Sequence, residues 1–134
     1  MQISDFILQD VRRLVAEILA LDLSEVGPDD LFFEDLGGES IEIIELSFHL
    51  DKLYGVRLRF QDLLADEFKM DDRGCLTAES LALLKRKYPF LKLEGFEGRP
   101  LERQTAFLTI EAIAGFVQMA VESKPSEIAS ARES

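Results

Sequence analysis

Ser40 is the residue of this sequence whose surroundings most suggest chemistry. It follows two glycines, Gly37 and Gly38, and an acidic residue, Glu39, and an apolar, acidic segment begins directly after it. A serine at an exposed helix start, after two flexible glycines, is accessible to the active site of another protein. The same hydroxyl acts as a nucleophile in its own protein only when a nearby base accepts its proton.

His49 is the only histidine that could serve as that base. If both residues lie on one helix, their separation along the chain places them roughly 13 Å and about half a turn apart. The two side chains then face opposite sides, so we expect neither a nucleophile–base pair nor a hydrolase. We expect His49 to be a partly exposed helix residue.

Metal and thiol chemistry have little support in this sequence. Cys75 is the only cysteine, so no internal disulfide can form, and no cysteine–histidine pair has the spacing of a zinc site. The aspartates before Gly74 suggest a calcium loop, but Lys69 and Arg73 would then occupy ligand positions. We therefore predict no metal site and expect Cys75 to be a small, semi-buried residue.

The chain is strongly acidic, and the acidity is unevenly distributed. The 134 residues carry a formal net charge of −11. Residues 62–107 hold nine acids and eight bases, whereas the rest hold seventeen acids and seven bases. Such a surface repels nucleic acids and anionic lipids and attracts basic protein surfaces. We therefore expect protein partners, no nucleic acid and no membrane insertion.

The length and the first residues suggest where the chain works. With 134 residues, 47% of them hydrophobic, the chain has the size of one ordinary domain with a single core. No stretch is apolar enough to span a membrane, and the first residues lack the features of a signal peptide. The sequence therefore predicts a cytoplasmic protein.

The periodicity of apolar residues predicts an all-α fold. A first helix, capped by Ser4, should fade near Leu21–Leu23. A long loop over residues 24–39 follows, because Gly27 and Pro28 prevent the helix from continuing. Within the loop, we expect a short turn that directs Leu31, Phe32 and Leu36 inward.

The second helix is predicted from about Ser40, where the serine side chain is a natural cap, to about Tyr54. Its apolar residues form two adjacent rows, one with Ile43, Leu46, Leu50 and Leu53 and the other with Ile41, Ile44 and Phe48. Acidic residues stand beside both rows. A helix with this pattern should be buried on one side and recognised by a partner on the other.

The remaining chain is predicted to form one insertion, one last helix and a tail. Residues 56–61 alternate in polarity but lack a partner strand, so we expect an extended connection. The insertion, about residues 62–107, should contain a helix capped by Thr77 and stopped by Pro89, and a short helix from Pro100 through Thr105. Three of its phenylalanines, Phe90, Phe96 and Phe107, should form a satellite core. Thr109 should cap the last helix, and residues 125–134 should be disordered, which leaves one domain over residues 1–124.

The segment around Ser40 resembles the phosphopantetheine attachment site of acyl carrier proteins. In that family an Asp-Leu-Gly turn leads through an acidic residue to the modified serine, and Asp35, Leu36, Gly37 and Ser40 occupy the matching positions. Glu39 stands where the family more often has aspartate, which preserves the acidic character. The resemblance covers roughly residues 1–61 and 108–123, so the insertion marks a long, atypical member.

This resemblance implies a fold and a function. The expected fold is a four-helix, up-and-down bundle with a long first loop and one or more extra helices inserted before the last helix. Ser40 would carry a covalent 4'-phosphopantetheine arm from coenzyme A, and acyl intermediates would be held on it as thioesters. The protein would be a non-catalytic, monomeric carrier for fatty-acid synthesis or for specialised synthesis such as that of envelope lipid or lipopolysaccharide.

The resemblance also implies partners with basic docking surfaces. These are a phosphopantetheinyl transferase and the acyl-loading, condensing and acyltransferase enzymes. The expected docking residues surround Ser40 and follow it along the second helix, namely Asp35, Glu39, Ile41, Glu42, Ile44, Glu45 and Asp51. Two alternatives stay open: an aminoacyl, peptidyl or polyketide carrier, and an acidic helical adaptor without a prosthetic group.

Overall fold

The computed structural model describes residues 3–58, 71–91 and 108–123. These residues form four α-helices and one 3₁₀ turn: α1 (Asp5–Leu19), the turn (Leu23–Glu25), α2 (Ser40–Tyr54), α3 (Ala78–Lys87) and α4 (Ile110–Glu122). An isolated β-bridge joins Leu31 to Thr109. The all-α prediction is confirmed. No helix among the described residues is long and apolar enough to cross a membrane.

Several predictions concern other parts of the chain. The end of the extended connection, the short helix from Pro100 through Thr105 and the tail over residues 125–134 lie outside the described residues. So do Phe96 and Phe107, two of the three phenylalanines assigned to a satellite core.

The boundaries of the described helices follow from their caps. Thr77 Oγ1 accepts a hydrogen bond from Ser80 N at 3.2 Å, and Thr109 Oγ1 accepts one from Ala112 N at 3.0 Å. Both predicted threonine caps are therefore confirmed. α1 ends at Leu19, before the predicted region, because Ala20 adopts a left-handed backbone with φ of 57° and its amide turns back onto the helix.

The start of α2 differs from the prediction in one respect. Ser40 is its first helical residue, and Glu39, with an extended backbone, is the residue that caps it. Glu42 Oε1 accepts a hydrogen bond from Glu39 N at 2.9 Å, so acidic residues rather than Ser40 form this cap. At the other end, α2 stops at Tyr54, as predicted, and Gly55 closes it with φ of 63°.

The core lies where α1 packs against both α2 and α4. Each helix contributes side chains that are almost fully buried: Ile7, Val11 and Val15 from α1, Ile43, Leu46 and Leu50 from α2, and Ile110, Ile113 and Val117 from α4. Burying each such side chain contributes about 1.5–3 kcal/mol before the cost of ordering the chain. α1 is therefore the helix on which the other two are assembled.

Residues 71–91 add a further layer against α4. A Cβ at Gly115 would lie 2.4 Å from Cδ2 of Phe90, so the ring rests directly on the helix backbone. The ring centroids of Tyr88 and Phe116 are 4.9 Å apart, as are those of Phe90 and Phe116. Leu81, Leu84 and Leu91 belong to the same buried cluster as the bundle. Phe90 therefore lies at the edge of the main core, and its assignment to a satellite core is wrong.

Packing from two sides explains the composition of α4. Gly115 lies about 140° around the helix from Ile110, given 100° per residue, and both positions are buried. Even Gln118 is buried, and its Oε1 accepts a hydrogen bond from Ser4 N at 3.0 Å. A helix with buried residues on most of its circumference needs the nearly continuous apolar sequence that α4 has.

Tyr54 and Asp10 join the end of α2 to α1. The Tyr54 hydroxyl donates a hydrogen bond of 2.5 Å to Asp10 Oδ2. This bond is the main reason that the pKa of Asp10 lies below its ordinary value of 3.8. Burial and the same bond raise the pKa of Tyr54 well above its ordinary value of 10.0. The hydrogen bond therefore stabilises the fold at pH values between 3.8 and 10.0, the ordinary pKa values of the two groups. Its contribution falls at lower and at higher pH.

We predict that Tyr54→Phe lowers the free energy of unfolding by about 1 kcal/mol at neutral pH, the typical value of one hydrogen bond. The difference from the wild type should shrink as the pH falls below the ordinary pKa of Asp10, because the unfolded chain then binds a proton at Asp10 that the folded wild-type protein binds only at lower pH. Urea unfolding across this pH range measures the difference. Tyr88→Phe, at a tyrosine that packs against Phe116, is the control. A Tyr54→Phe difference that is independent of pH would contradict the account.

Candidate functional site

Ser40 is exposed at the first position of α2. Its neighbours Glu39 and Ile41 are exposed as well. A group attached to the hydroxyl would therefore extend into solvent without displacing any part of the core. It would also lie at the positive end of the α2 dipole, which favours a phosphate.

The loop before Ser40 turns tightly through main-chain hydrogen bonds. Leu31 O accepts from Asp35 N at 3.0 Å and from Leu36 N at 3.1 Å, and Phe33 O accepts from Gly37 N at 3.2 Å. Gly37 has φ of 73°, a conformation that other residues adopt only with strain. The Asp-Leu-Gly turn is therefore a defined structure that redirects the chain toward α2.

The same loop is fastened to the beginning of α4. Phe32 N donates to Leu108 O at 3.1 Å. In the opposite direction, Ile110 N donates to Asp30 O at 3.0 Å and Glu111 N donates to Pro28 O at 2.9 Å. We call these three hydrogen bonds the backbone clamp. Two of them, from Ile110 and Glu111, satisfy amide groups at a helix N-terminus that have no partner within the helix.

Three of the predicted docking carboxylates also have a structural role. Asp35 Oδ2 accepts from Leu31 N at 2.8 Å, and Glu42 Oε1 accepts from Glu39 N. Asp51, which is half-buried, accepts from Leu58 N at 2.8 Å through Oδ1. These side chains hold the turn before α2, its first turn and the chain that follows it. Substituting any of them would change the local fold as well as the surface charge.

The outer face of α2 carries an exposed apolar stripe. Its members are Ile41, Ile44 and Phe48, with 71%, 43% and 67% of their surface exposed. Ile41 and Ile44 are two of the expected docking residues, and Phe48 belongs to the same row. Glu45 is exposed beside the stripe, with Oε1 3.9 Å from His49 Nε2. Ser40 and the stripe thus share one continuous surface.

Two α2 residues depart from the sequence-based assignment. Leu53, which shares a row with Ile43, Leu46 and Leu50, is 50% exposed, although Leu46, only about 20° away around the helix, is fully buried. Phe48 is as exposed as the expected docking residues, although it was not predicted to be one of them. Its place in the outer row was the signal that could have identified it.

The described residues contain no group of three or more His, Cys, Asp and Glu side chains that could hold a metal ion. The loop for which a calcium site was considered is organised by its own hydrogen bonds. Asp71 Oδ1 accepts from Arg73 N at 2.9 Å and from Cys75 N at 3.0 Å. These bonds hold the pKa of Asp71 below its ordinary range. Cys75 is buried, somewhat deeper than the expected semi-buried position.

Comparison with known proteins agrees with the geometry around Ser40. Residues 9–67 match the family model described as the phosphopantetheine attachment site. The chain is 44% identical over 55 residues to polyketide-8 synthase acyl carrier protein 2 of Streptomyces avermitilis, which covers 41% of this chain and 63% of that protein. It is 34% identical over 50 residues to the acyl carrier protein of Helicobacter pylori, covering 37% of this chain and 64% of that protein.

A third relative is matched over a larger share of its length. The acyl carrier protein of Solidesulfovibrio magneticus is 32% identical over 54 residues, which covers 40% of this chain and 69% of that protein. The chain thus spans a little under two thirds of the length of the first two relatives. It spans slightly more than two thirds of the length of the acyl carrier protein of Solidesulfovibrio magneticus. An exposed serine at a helix start, after an Asp-Leu-Gly turn, fits a covalent arm. The chain belongs to the acyl carrier proteins, the family that carries covalently attached 4'-phosphopantetheine.

Proposed function

We propose that Ser40 is the attachment point of 4'-phosphopantetheine and that the protein carries acyl groups as thioesters on this arm. The observation that carries the proposal is the exposure of Ser40 at the start of α2, directly after the loop that the backbone clamp fastens to the beginning of α4. A carrier must present its hydroxyl to several different enzymes. A fixed, exposed position at the end of a clamped loop meets that requirement without a cavity or a catalytic group of its own.

The attachment reaction requires only the hydroxyl from this protein. Ser40 Oγ forms a bond to the pantetheine-side phosphorus of coenzyme A, the bond from that phosphorus to the nucleotide half breaks, and the serine proton passes to a base. His49 lies about half a turn from Ser40 around α2, so we assign the base to the transferase. The protein then acts as a substrate of its partners and not as an enzyme.

The outer face of α2 suits transient docking of these partners. The stripe of Ile41, Ile44 and Phe48 offers a small apolar contact, and Glu45 beside it offers negative charge. Complementary charge accelerates encounter and orients the partner, whereas a small apolar contact allows rapid release. We therefore propose a transferase and acyl-transferring enzymes with basic docking surfaces, acting on a monomeric carrier in the cytoplasm.

Two classes of cargo remain candidates. The relative that is 44% identical is named as a polyketide synthase acyl carrier protein, which favours polyketide intermediates. Two others are named simply as acyl carrier proteins, as expected for fatty-acid or specialised lipid synthesis. The loaded protein, offered separately to fatty-acid and polyketide condensing enzymes, would distinguish these classes by which enzyme elongates its acyl group.

We predict that incubation with coenzyme A and a broad-specificity phosphopantetheinyl transferase adds one phosphopantetheine to the intact protein. Ser40→Ala should gain no mass, because it lacks the accepting oxygen. Intact-protein mass spectrometry measures both results, and Ser47→Ala, at a buried serine of the same helix, is the control that should still be loaded. A protein that gains no mass would favour the acidic adaptor, and a gain that survives Ser40→Ala would exclude this site.

The docking proposal makes a separate prediction. Glu45→Lys should lower kcat/KM for loading by about 5–30-fold at low salt, since reversing a charge near an interface mainly slows encounter. The decrease should diminish as salt is added. Glu45 is preferred to Glu42 because Glu42 also binds the amide of Glu39.

Glu79→Lys is the matched control for this charge reversal. Glu79 is exposed on α3, outside the helix that carries Ser40, and the substitution changes the net charge equally. The control should load within about twofold of the wild type, given that general charge effects are weak compared with local ones. Equal losses in both variants would mean that net charge, and not the α2 face, determines the loading rate.

A further inference from the structure

A lysine stands at the far end of the exposed face of α2. Lys52 is exposed and lies one helical turn beyond Phe48, the last member of the apolar stripe. It also lies seven residues after Glu45, which places these two residues only about 20° apart around the helix and roughly 10 Å apart along it. Glu45, Phe48 and Lys52 therefore belong to one surface, the same surface that begins at Ser40.

Lys52 makes no ion pair with any of the described residues. Glu45, the exposed acid of the helix, lies beside His49 instead, with Oε1 3.9 Å from Nε2. The residue before the lysine, Asp51, is half-buried, and its Oδ1 accepts a hydrogen bond from Leu58 N at 2.8 Å. The ammonium group is thus a positive charge at the edge of an apolar stripe, with no counter-charge in the described part of the chain.

The stability of α2 does not by itself explain this position. A basic residue in the last turn of a helix interacts favourably with the helix dipole, and Lys52 lies in that turn. The next position of the same turn would serve this purpose as well, yet its exposed residue is Leu53. The dipole therefore accounts for a base near the end of α2 and leaves open why that base is in line with the stripe.

A partner that docks on the stripe meets this charge. Lys52 lies twelve residues after Ser40, roughly 18 Å along the helix. The interface of a specific complex covers about 800 Å² of each protein, which is wide enough to include both ends of such a face. An enzyme that reaches Ser40 across the stripe therefore contacts Lys52 as well.

The exposed charges of the surface change sign from one end of α2 to the other. Glu39 is exposed next to Ser40 and Glu45 is exposed beside the stripe, whereas the far end carries Lys52. A partner surface that is basic throughout is attracted by the two acids and repelled by the lysine. A partner with basic groups toward Ser40 and a carboxylate at the far end is attracted along the whole face.

We propose that Lys52 determines which partners this carrier accepts. It favours enzymes whose docking surface combines basic groups near Ser40 with a carboxylate roughly 18 Å away, and it disfavours enzymes whose surface is basic throughout. The proposal rests on the proposed function of Ser40, because transfer to and from the arm is what brings partners to this face. Its selectivity comes from repulsion of wrong partners as well as attraction of the right ones.

The first test uses a phosphopantetheinyl transferase of broad specificity whose docking surface is basic throughout. Loading of the full-length protein from coenzyme A is measured at low salt. Lys52→Glu should raise kcat/KM by about 3–10-fold, chiefly through KM, because a repulsive contact becomes attractive. Lys52→Gln, which only removes the charge, should give a smaller gain, and both gains should diminish as salt is added. An unchanged or lower kcat/KM for Lys52→Glu would overturn the proposal.

Arg86→Glu is the matched control. Arg86 is exposed in the last turn of α3, outside the helix that carries Ser40. The substitution therefore changes the net charge and the end of a helix in the same way as Lys52→Glu does. The control should load within about twofold of the wild type, since a charge outside the interface has a weak effect on encounter. Equal gains in the two variants would overturn the proposal, because net charge would then explain both.

A charge-reversal scan of the transferase identifies the group that faces Lys52. Each lysine and arginine of its docking surface is changed in turn to glutamate, and every variant is tested with the wild-type carrier and with Lys52→Glu. At one position the reversal should raise kcat/KM for the wild type and lower it for Lys52→Glu, since facing charges are coupled. Additive effects at every position would overturn the proposal. Absence of loading of the wild-type carrier would instead contradict the function proposed for Ser40.

Discussion

The backbone clamp between the Ser40 loop and the start of α4 is the constraint on which the rest of the site depends. A loop of this length would otherwise have many conformations, and ordering each residue costs roughly 1–2 kcal/mol. The clamp offsets this cost by pairing carbonyl groups of the loop with amides that a helix N-terminus leaves without intrahelical partners, while Phe32 binds in the reverse direction at Leu108. The loop thereby becomes a rigid support that ends at an exposed hydroxyl.

The two faces of α2 have separate tasks. Ile43, Leu46 and Leu50 attach the helix to the core, and Ile41, Ile44 and Phe48 remain exposed on the other side. Three acidic residues have a double role. The carboxylates of Asp35, Glu42 and Asp51 accept hydrogen bonds from backbone amides and also add negative charge to the surface. The net acidity of the chain is therefore partly a consequence of how the chain around α2 is held.

The sequence was sufficient to predict what depends on local spacing. The periodicity of the apolar residues predicts the helices, and the caps Thr77 and Thr109 predict where α3 and α4 begin. The close packing of the Phe32 ring on Gly38 was beyond such reasoning. The path of the loop brings these two positions together, and no periodicity of the sequence encodes that path. The exposure of Leu53 and the packing of Phe90 on Gly115 were missed for the same reason. Each depends on where a neighbouring segment lies. From the sequence alone, a glycine is equally consistent with a flexible turn and with a ring packed closely against it.

The central claim is that Ser40 is a passive attachment point at the start of α2, directly after the clamped loop. The most direct measurement is to load the protein with phosphopantetheine, digest it with a protease and locate the added group by fragment-ion mass spectrometry. The account predicts that the arm is found on the Ser40 side chain and on no other serine or threonine. An arm located at another residue, or peptides without any arm after treatment with an active transferase, would contradict it.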